Sequence, residues 1–222
     1  MSYGVRLYVS APYGLFTRPE LKVERMTYDA LTPSAARGIL EAIHWKPAIR
    51  WVIDRIHVLA PIRTQTIRRN EVGHKAPYGT LKSAMKRGDL GGVQLLVDSD
   101  RQQRAATVLV RPAYVIEAHF ELTPKAGPDD TDGKHLDIFN RRAARGRCFH
   151  QPCMGAREFP VDFRLILAGE ALPTAIAEDG DLGLMLWDID HAAAGRPSMF
   201  FRARMQGGII DIPAPDSAEV LR

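Results

Sequence analysis

The change of hydrophobic period along the chain restricts its fold more than any other feature. Residues 4–10, GVRLYVS, set Val5, Leu7 and Val9 against Arg6, Tyr8 and Ser10, a period of two that predicts a half-buried strand. A loop with Pro12, Gly14 and Pro19 follows. Thr32-Pro33 then supplies a helix N-cap and a first-turn proline, and Ala36, Ile39, Leu40 and Ile43 recur at helical spacing until Pro47 stops the helix. Residues 49–59, IRWVIDRIHVL, are dense in β-branched and aromatic side chains and predict a second strand. Residues 106–122, ATVLVRPAYVIEAHFEL, predict one strand up to Val110 and another from Ala113 to Leu122. A turn cluster from Pro124 to Gly133 leads to a helix beginning near Lys134, with Leu136, Phe139 and Ala143 as its apolar stripe. REFPVDFRLIL, at 157–167, predicts a further strand.

Strand, helix, strand, strand, helix, strand is the split βαβ order, so residues 1–166 are expected to form an α+β, ferredoxin-like (RRM-like) βαββαβ domain. The order is interrupted at about 61–105, where Gly, Arg and Lys are frequent and periodicity is weak. This stretch reads as a basic insertion or mobile loop rather than packed structure. Residues 182–190 and 198–212 predict two or three further strands, giving a small C-terminal antiparallel β-sheet domain over 167–222. No repeat of fixed period is visible.

Charge is distributed unevenly. Residues 1–111 carry 18 Lys/Arg against 9 Asp/Glu, whereas residues 112–222 carry 12 against 17. A basic front and an acidic back suggest a polyanion on one side. No apolar stretch approaches the roughly 18–20 residues that a membrane span needs, so no membrane partner is expected. The first residues lack the layout of a secretory signal, and two cysteines are too few for a disulfide scaffold. The expected location is the cytoplasm.

Known catalytic signatures are missing. Cys148, His150 and Cys153 form C-x-H-x-x-C, but no second Cys/His pair completes a tetrahedral metal set, and two ordinary reduced cysteines account for the pattern. There is no H-E-x-x-H, Walker A, G-x-G-x-x-G after a strand, or G-x-S-x-G, and the carboxylates are scattered. No metal and no cofactor are expected.

Two histidines stand out. His44 ends the first helix and His135, after Lys134, opens the second. A helix C-terminus favours imidazolium and an N-terminus favours the neutral ring, so a shared cleft would bias His135 toward base and His44 toward acid. With Lys134 to neutralise a phosphorane, such a pair could cleave RNA through the ribose 2′-OH. Each histidine could equally cap or pack at its helix end. Arg68, Arg69, Lys75, Lys82, Lys86 and Arg87 in the middle stretch are candidate phosphate contacts, as are Arg141, Arg142, Arg145 and Arg147, with Tyr78 as a stacking platform. Residues 134–157 hold six Lys/Arg against the single Asp137.

Several longer motifs are more specific. Ala11-Pro12-Tyr13-Gly14-Leu15-Phe16-Thr17-Arg18-Pro19, the run from Gly38 to Pro47, Ile67-Arg68-Arg69-Asn70-Glu71, Asp132-Gly133-Lys134-His135 and Gly155-Ala156-Arg157-Glu158-Phe159 occur in order. Together they closely resemble the Cas-five family of CRISPR-associated proteins (RAMP superfamily) in its subtype I-C branch, from position 11 to about 165.

The resemblance implies a ferredoxin-like domain with a small C-terminal β-sheet domain. It also implies a metal-independent endoribonuclease that cuts the repeat hairpin of precursor CRISPR RNA through the 2′-OH. Such a protein stays on the crRNA 5′ handle in a type I-C Cascade complex, beside the backbone and large subunits. By the same resemblance Lys134 and His135 match a catalytic Lys-His pair. His44 occupies a third catalytic position, where relatives can have Tyr. Two other readings compete: a non-catalytic Cascade subunit that grips the 5′ handle, and a general nucleic-acid binder whose targets include non-specific duplex DNA.

Overall fold

The computed structural model describes residues 4–21, 23–89, 91, 93, 94, 96–191 and 193–222. In chain order, β1 (Gly4–Ser10) is followed by two short strands, β2 (Tyr13–Gly14) and β3 (Arg25–Met26), then helix α1 (Pro33–Ile43) and β4 (Ile49–Val58). Next come β5 (Thr64–Val72), α2 (Tyr78–Arg87), α3 (Val97–Asp100) and β6 (Arg101–Val110), then β7 (Ala113–Leu122), α4 (Asp132–Ala143) and β8 (Asp162–Leu165). The chain ends with β9 (Gly180–Ile189), β10 (Ser198–Gln206) and β11 (Ile209–Asp211). No helix among the described residues is long and apolar enough to cross a membrane.

The molecule is mixed α+β. Its main sheet has seven strands in the order β8-β1-β7-β4-β11-β10-β9, every neighbouring pair antiparallel. The period of two in β1 places Val5, Leu7 and Val9 opposite Ala118, Ile116 and Tyr114 of β7, and all six are buried. A bulge in β4 between Ile53 and Arg55 shifts the pleat by one residue at Asp54. Trp51 and Ile53 before the bulge and Ile56 and Val58 after it therefore all reach the core, opposite Phe120, Ala118, Ile116 and Tyr114.

Helix α1 begins where the sequence predicts. The Thr32 side chain accepts from Ala35 N–H, Pro33 follows the cap, and Ala36, Ile39, Leu40 and Ile43 are buried against the sheet. Arg37 on its other side reaches Asp188 of β9 at 2.9 Å, tying the first helix to the far edge of the sheet.

Two expectations change. Residues 61–105 are not a structureless loop: β5 pairs with β6 from Thr64–Leu109 to Val72–Arg101, and α2 and α3 lie between them. The pattern escapes a hydrophobic reading because TQTIRRNEV has only Ile67 and Val72 as apolar positions and the strand is largely exposed. Ladder hydrogen bonds hold it, together with Glu71, which lies within ion-pair distance of Arg25, Arg69 and Arg104. β6 also receives β2 and β3, making a second, four-stranded sheet.

The strand predicted at 157–167 shrinks to Asp162–Leu165, since Pro160 lacks the N–H a ladder needs. The C-terminal strands β9, β10 and β11 pair with one another, and β11 joins Arg55, Ile56 and His57 of β4.

Candidate active site

His44 is the C-cap of α1. Its backbone turns extended, its N–H still donates to Leu40 O at 2.9 Å, and the Trp51 indole N–H donates to its carbonyl at 2.9 Å. His135 lies in the first turn of α4, whose N-cap Thr131 accepts from Lys134 N–H. The buried stripe of this helix is His135, Phe139 and Ala143, spaced by four, whereas Leu136 is only half-buried. That stripe turns His135 inward. His44 Nε2 and His135 Nδ1 stand 3.0 Å apart although 91 positions separate them, with ring centroids at 5.3 Å and planes inclined by 28°. Both residues are only 1% exposed, and the Phe120 ring meets His135 at 6.1 Å.

The electrostatics of His44 reverse the expectation from the helix dipole. Burial, reinforced by His135, Arg142 and Lys46, lowers its pKa to about 4. Arg142 Nη1 donates to Ile43 O at 2.8 Å, so a guanidinium already occupies the negative end of α1. His44 is therefore neutral at pH 7 and cannot serve there as an imidazolium acid.

Lys134 is exposed. Its Nζ lies 3.2 Å from Asp130 Oδ1 and donates to Asp129 O at 3.1 Å. Asp130 Oδ2 accepts from Gly127 N–H at 3.0 Å. This backbone bond and then Lys134 hold the Asp130 carboxyl below the usual range. His135 Nε2 is 3.2 Å from Asp130 Oδ1, outside hydrogen-bond direction, and both it and His44 Nδ1 are buried nitrogens without a hydrogen-bond partner. The sequence singles out Lys134 and His135 but passes over Asp130. The signal for it is the i,i+4 spacing to Lys134 in the acidic turn before the Thr131 cap.

The remaining candidates fall into two groups. Arg141, Arg142, Arg145 and Arg147 line a cavity of about 480 Å³ with Cys148 and Phe149, and Phe149 is 85% exposed. This exposed aromatic among arginines was not singled out from the sequence. Through Arg142 the group adjoins the end of α1. Arg68, Lys75, Lys82, Lys86 and Arg87 are exposed on the β5–α2 arm, with Tyr78 74% exposed and Lys82 Nζ 5.9 Å from its ring. Arg69 differs, being drawn into ion pairs with Glu71 and Glu158 that tie β5 to the loop before β8. Cys148 and Cys153 are free thiols, and among the described residues no three His, Cys, Asp or Glu side chains cluster as a metal-ligand set.

The sequence profile of the family described as "CRISPR-associated protein (Cas_Cas5)" matches residues 4–213. The chain belongs to the Cas5 (Cas-five) family. Its Cas5 relatives include a protein of Mannheimia succiniciproducens named CRISPR pre-crRNA endoribonuclease Cas5d. That relative is 52% identical over 226 residues, covering all of both chains. A Thermus thermophilus protein of the same name is 36% identical over 240 residues, covering 98% of this chain and 95% of its own. The Cas5 fold is shared with a solved CRISPR-associated protein at TM-score 0.73 and 21% identity, covering 100% and 97% of the two chains. A functionally uncharacterized protein from Streptococcus mutans matches at TM-score 0.67 and 19% identity, covering 100% and 98%.

Proposed function

We propose that this chain is a CRISPR-associated endoribonuclease that cuts the repeat hairpin of precursor CRISPR RNA. The full-length relatives named pre-crRNA endoribonuclease support the activity, and the apposition of His44 and His135 at 3.0 Å beside Lys134 carries the assignment of the site. The 2′-OH of the scissile nucleotide attacks the adjacent phosphorus, the 5′-oxygen leaves, and no metal takes part. His44, held neutral, accepts the hydroxyl proton, and His135 orients the His44 ring. The exposed Lys134 ammonium offsets charge on the phosphate and protonates the leaving oxygen. Both rings are buried, so the hydroxyl reaches them by local displacement of the surface near Asp130.

The four arginines of the α4 end and the cations of the β5–α2 arm are assigned to the hairpin and the 5′ handle. Phe149 and Tyr78 offer stacking faces. The strand order β8-β1-β7-β4 with α1 and α4 supports a ferredoxin-like unit over 1–166, with 167–222 as a second unit. After cleavage the protein stays on the 5′ handle as a cytoplasmic type I-C Cascade subunit, with backbone and large subunits as neighbours.

The test uses repeat RNA and a copy with a 2′-deoxy scissile nucleotide. Wild type should cut only the first, with or without chelator, and His135→Ala should bind the hairpin without cutting it. Full cleavage by His135→Ala would refute the site, and inhibition by chelator would refute the metal-free route. The burial of both rings favours a second reading, a non-catalytic subunit that grips the handle, for which wild type would cut neither RNA.

A further inference from the structure

We propose that Asp130 is the positioning residue of this site: it fixes which ring nitrogens of His135 and His44 carry hydrogen and leaves His44 Nδ1 as a bare acceptor for the ribose 2′-hydroxyl. The proposal rests on the site reading above and deepens it.

A single hydrogen bond joins the rings, His44 Nε2 to His135 Nδ1, and it can run in either direction. If His135 Nδ1–H donates, His135 Nε2 is a lone pair set 3.2 Å from a carboxylate oxygen, and the two repel. His44 Nδ1 then carries a hydrogen in a buried place with no acceptor. If His44 Nε2–H donates instead, His135 Nε2 carries the hydrogen 3.2 Å from Asp130 Oδ1, an electrostatic attraction between a polar N–H and an anion although the geometry is not that of a hydrogen bond. His44 Nδ1 is then a lone pair, whose only unmet need is a donor. The second direction removes both conflicts of the first.

Asp130 can impose this choice because it is held itself. Oδ2 accepts from Gly127 N–H at 3.0 Å, and Oδ1 is shared with the Lys134 ammonium at 3.2 Å. One oxygen therefore holds the ammonium destined for the phosphate and sets the tautomer of the ring beside it. A ribose hydroxyl is an O–H donor of the kind that an orphaned ring nitrogen takes, and accepting its proton makes His44 a transient imidazolium. The buried acceptor thus sits two rings away from the half-buried anion that orients it, an arrangement a carboxylate-imidazole pair achieves elsewhere in general base catalysis.

The experiment uses the full chain labelled with ¹⁵N at its histidine rings. Proton–nitrogen spectra at pH 7.5 are assigned with His44→Gln and His135→Gln. In wild type both rings should be Nε2–H tautomers, with an unprotonated Nδ1 signal for His44. Asp130→Ala should shift a large fraction of His44 to Nδ1–H. It should also slow single-turnover cleavage of the repeat hairpin about 100-fold, at the low end of what general acid–base catalysis supplies, with hairpin affinity unchanged within about twofold. Asp130→Asn, which keeps an acceptor oxygen, should restore the wild-type tautomers and recover at least about tenfold of the rate. An Nδ1–H tautomer at His44 in wild type, wild-type tautomers or rates in Asp130→Ala, or no recovery in Asp130→Asn would each overturn the proposal. Normal cleavage by both His44→Gln and His135→Gln would instead overturn the site reading. The tautomers of the uncleaved system would still judge Asp130.

Discussion

Acid should destabilise this protein through His44 before it reaches the carboxylates. The ring ordinarily titrates near 6.5, and burial lowers it to about 4 in the fold. Its folded pKa lies below the unfolded one, so between these values the unfolded chain binds the proton more readily. Stability is then complete above pH 6.5 and is lost as pH falls toward 4. At about 1.36 kcal/mol per pKa unit the full span is worth about 3 kcal/mol. At pH 5 the unfolded ring is almost wholly protonated and the folded ring about one-tenth so, which places about 2 kcal/mol of the loss between pH 7 and 5. The perturbation is His44→Gln, which keeps a polar side chain of similar reach and removes the titration. Urea unfolding at pH 7 and pH 5 gives the free energy of each protein. Wild type should lose about 2 kcal/mol more than His44→Gln over that interval, the other six histidines being common to both. Equal losses would mean that the ring is solvated or already charged in the fold, and the neutral acceptor assigned to it would be refuted.

Other outcomes follow from neighbouring residues. Arg142→Ala removes a cation that lowers His44, so the His44 ring should titrate above its present value of about 4 in NMR, and a fixed or lower value would contradict the electrostatics. Arg68 and Arg69 should separate: Arg68→Ala should reduce the salt dependence of hairpin binding by about 0.7–0.9 in log–log slope with stability unchanged. Arg69→Ala should loosen the arm, read as faster hydrogen exchange in β5, because it breaks the Glu71 and Glu158 pairs. Gly155→Ala should lower thermal stability by more than about 1 kcal/mol. Its φ is +84°, and an added Cβ would lie 2.0 Å from Leu15 O, so a normal melting curve would be inconsistent with that approach.

Much of the fold was legible because local pattern and tertiary burial agree. Val5, Leu7 and Val9 alternate and are buried, and Thr32-Pro33 opens α1 as a cap and a first-turn proline do. The failure at β5 has a physical cause: a strand held by backbone ladders and Arg–Glu pairs leaves no apolar alternation to read. At the site, the residues could be named but not their states. His44 was expected to be charged at a helix end, and the expectation lost because Arg142 had taken that end and the ring was buried. His135 was readable in one further way. Its spacing of four to Phe139 and eight to Ala143 places it on the buried stripe, whereas hydrophobicity alone points to Leu136. Asp130 lies in the turn cluster before α4, where no hydrophobic period marks a side chain as facing the site.

The splice to β4 pairs β11 with Arg55, Ile56 and His57, with flanking backbone bonds at Asp54 and Val58, and this has a consequence for anyone handling the chain in pieces. A fragment ending at residue 166 would strip those partners from the second half of β4, leaving the outer border of this ten-residue strand open from end to end as a template for pairing with its own copies. The C-terminal strands thus act as a guard against self-association, and an attempt to isolate the first unit for RNA work would be limited by clumping before it was limited by affinity.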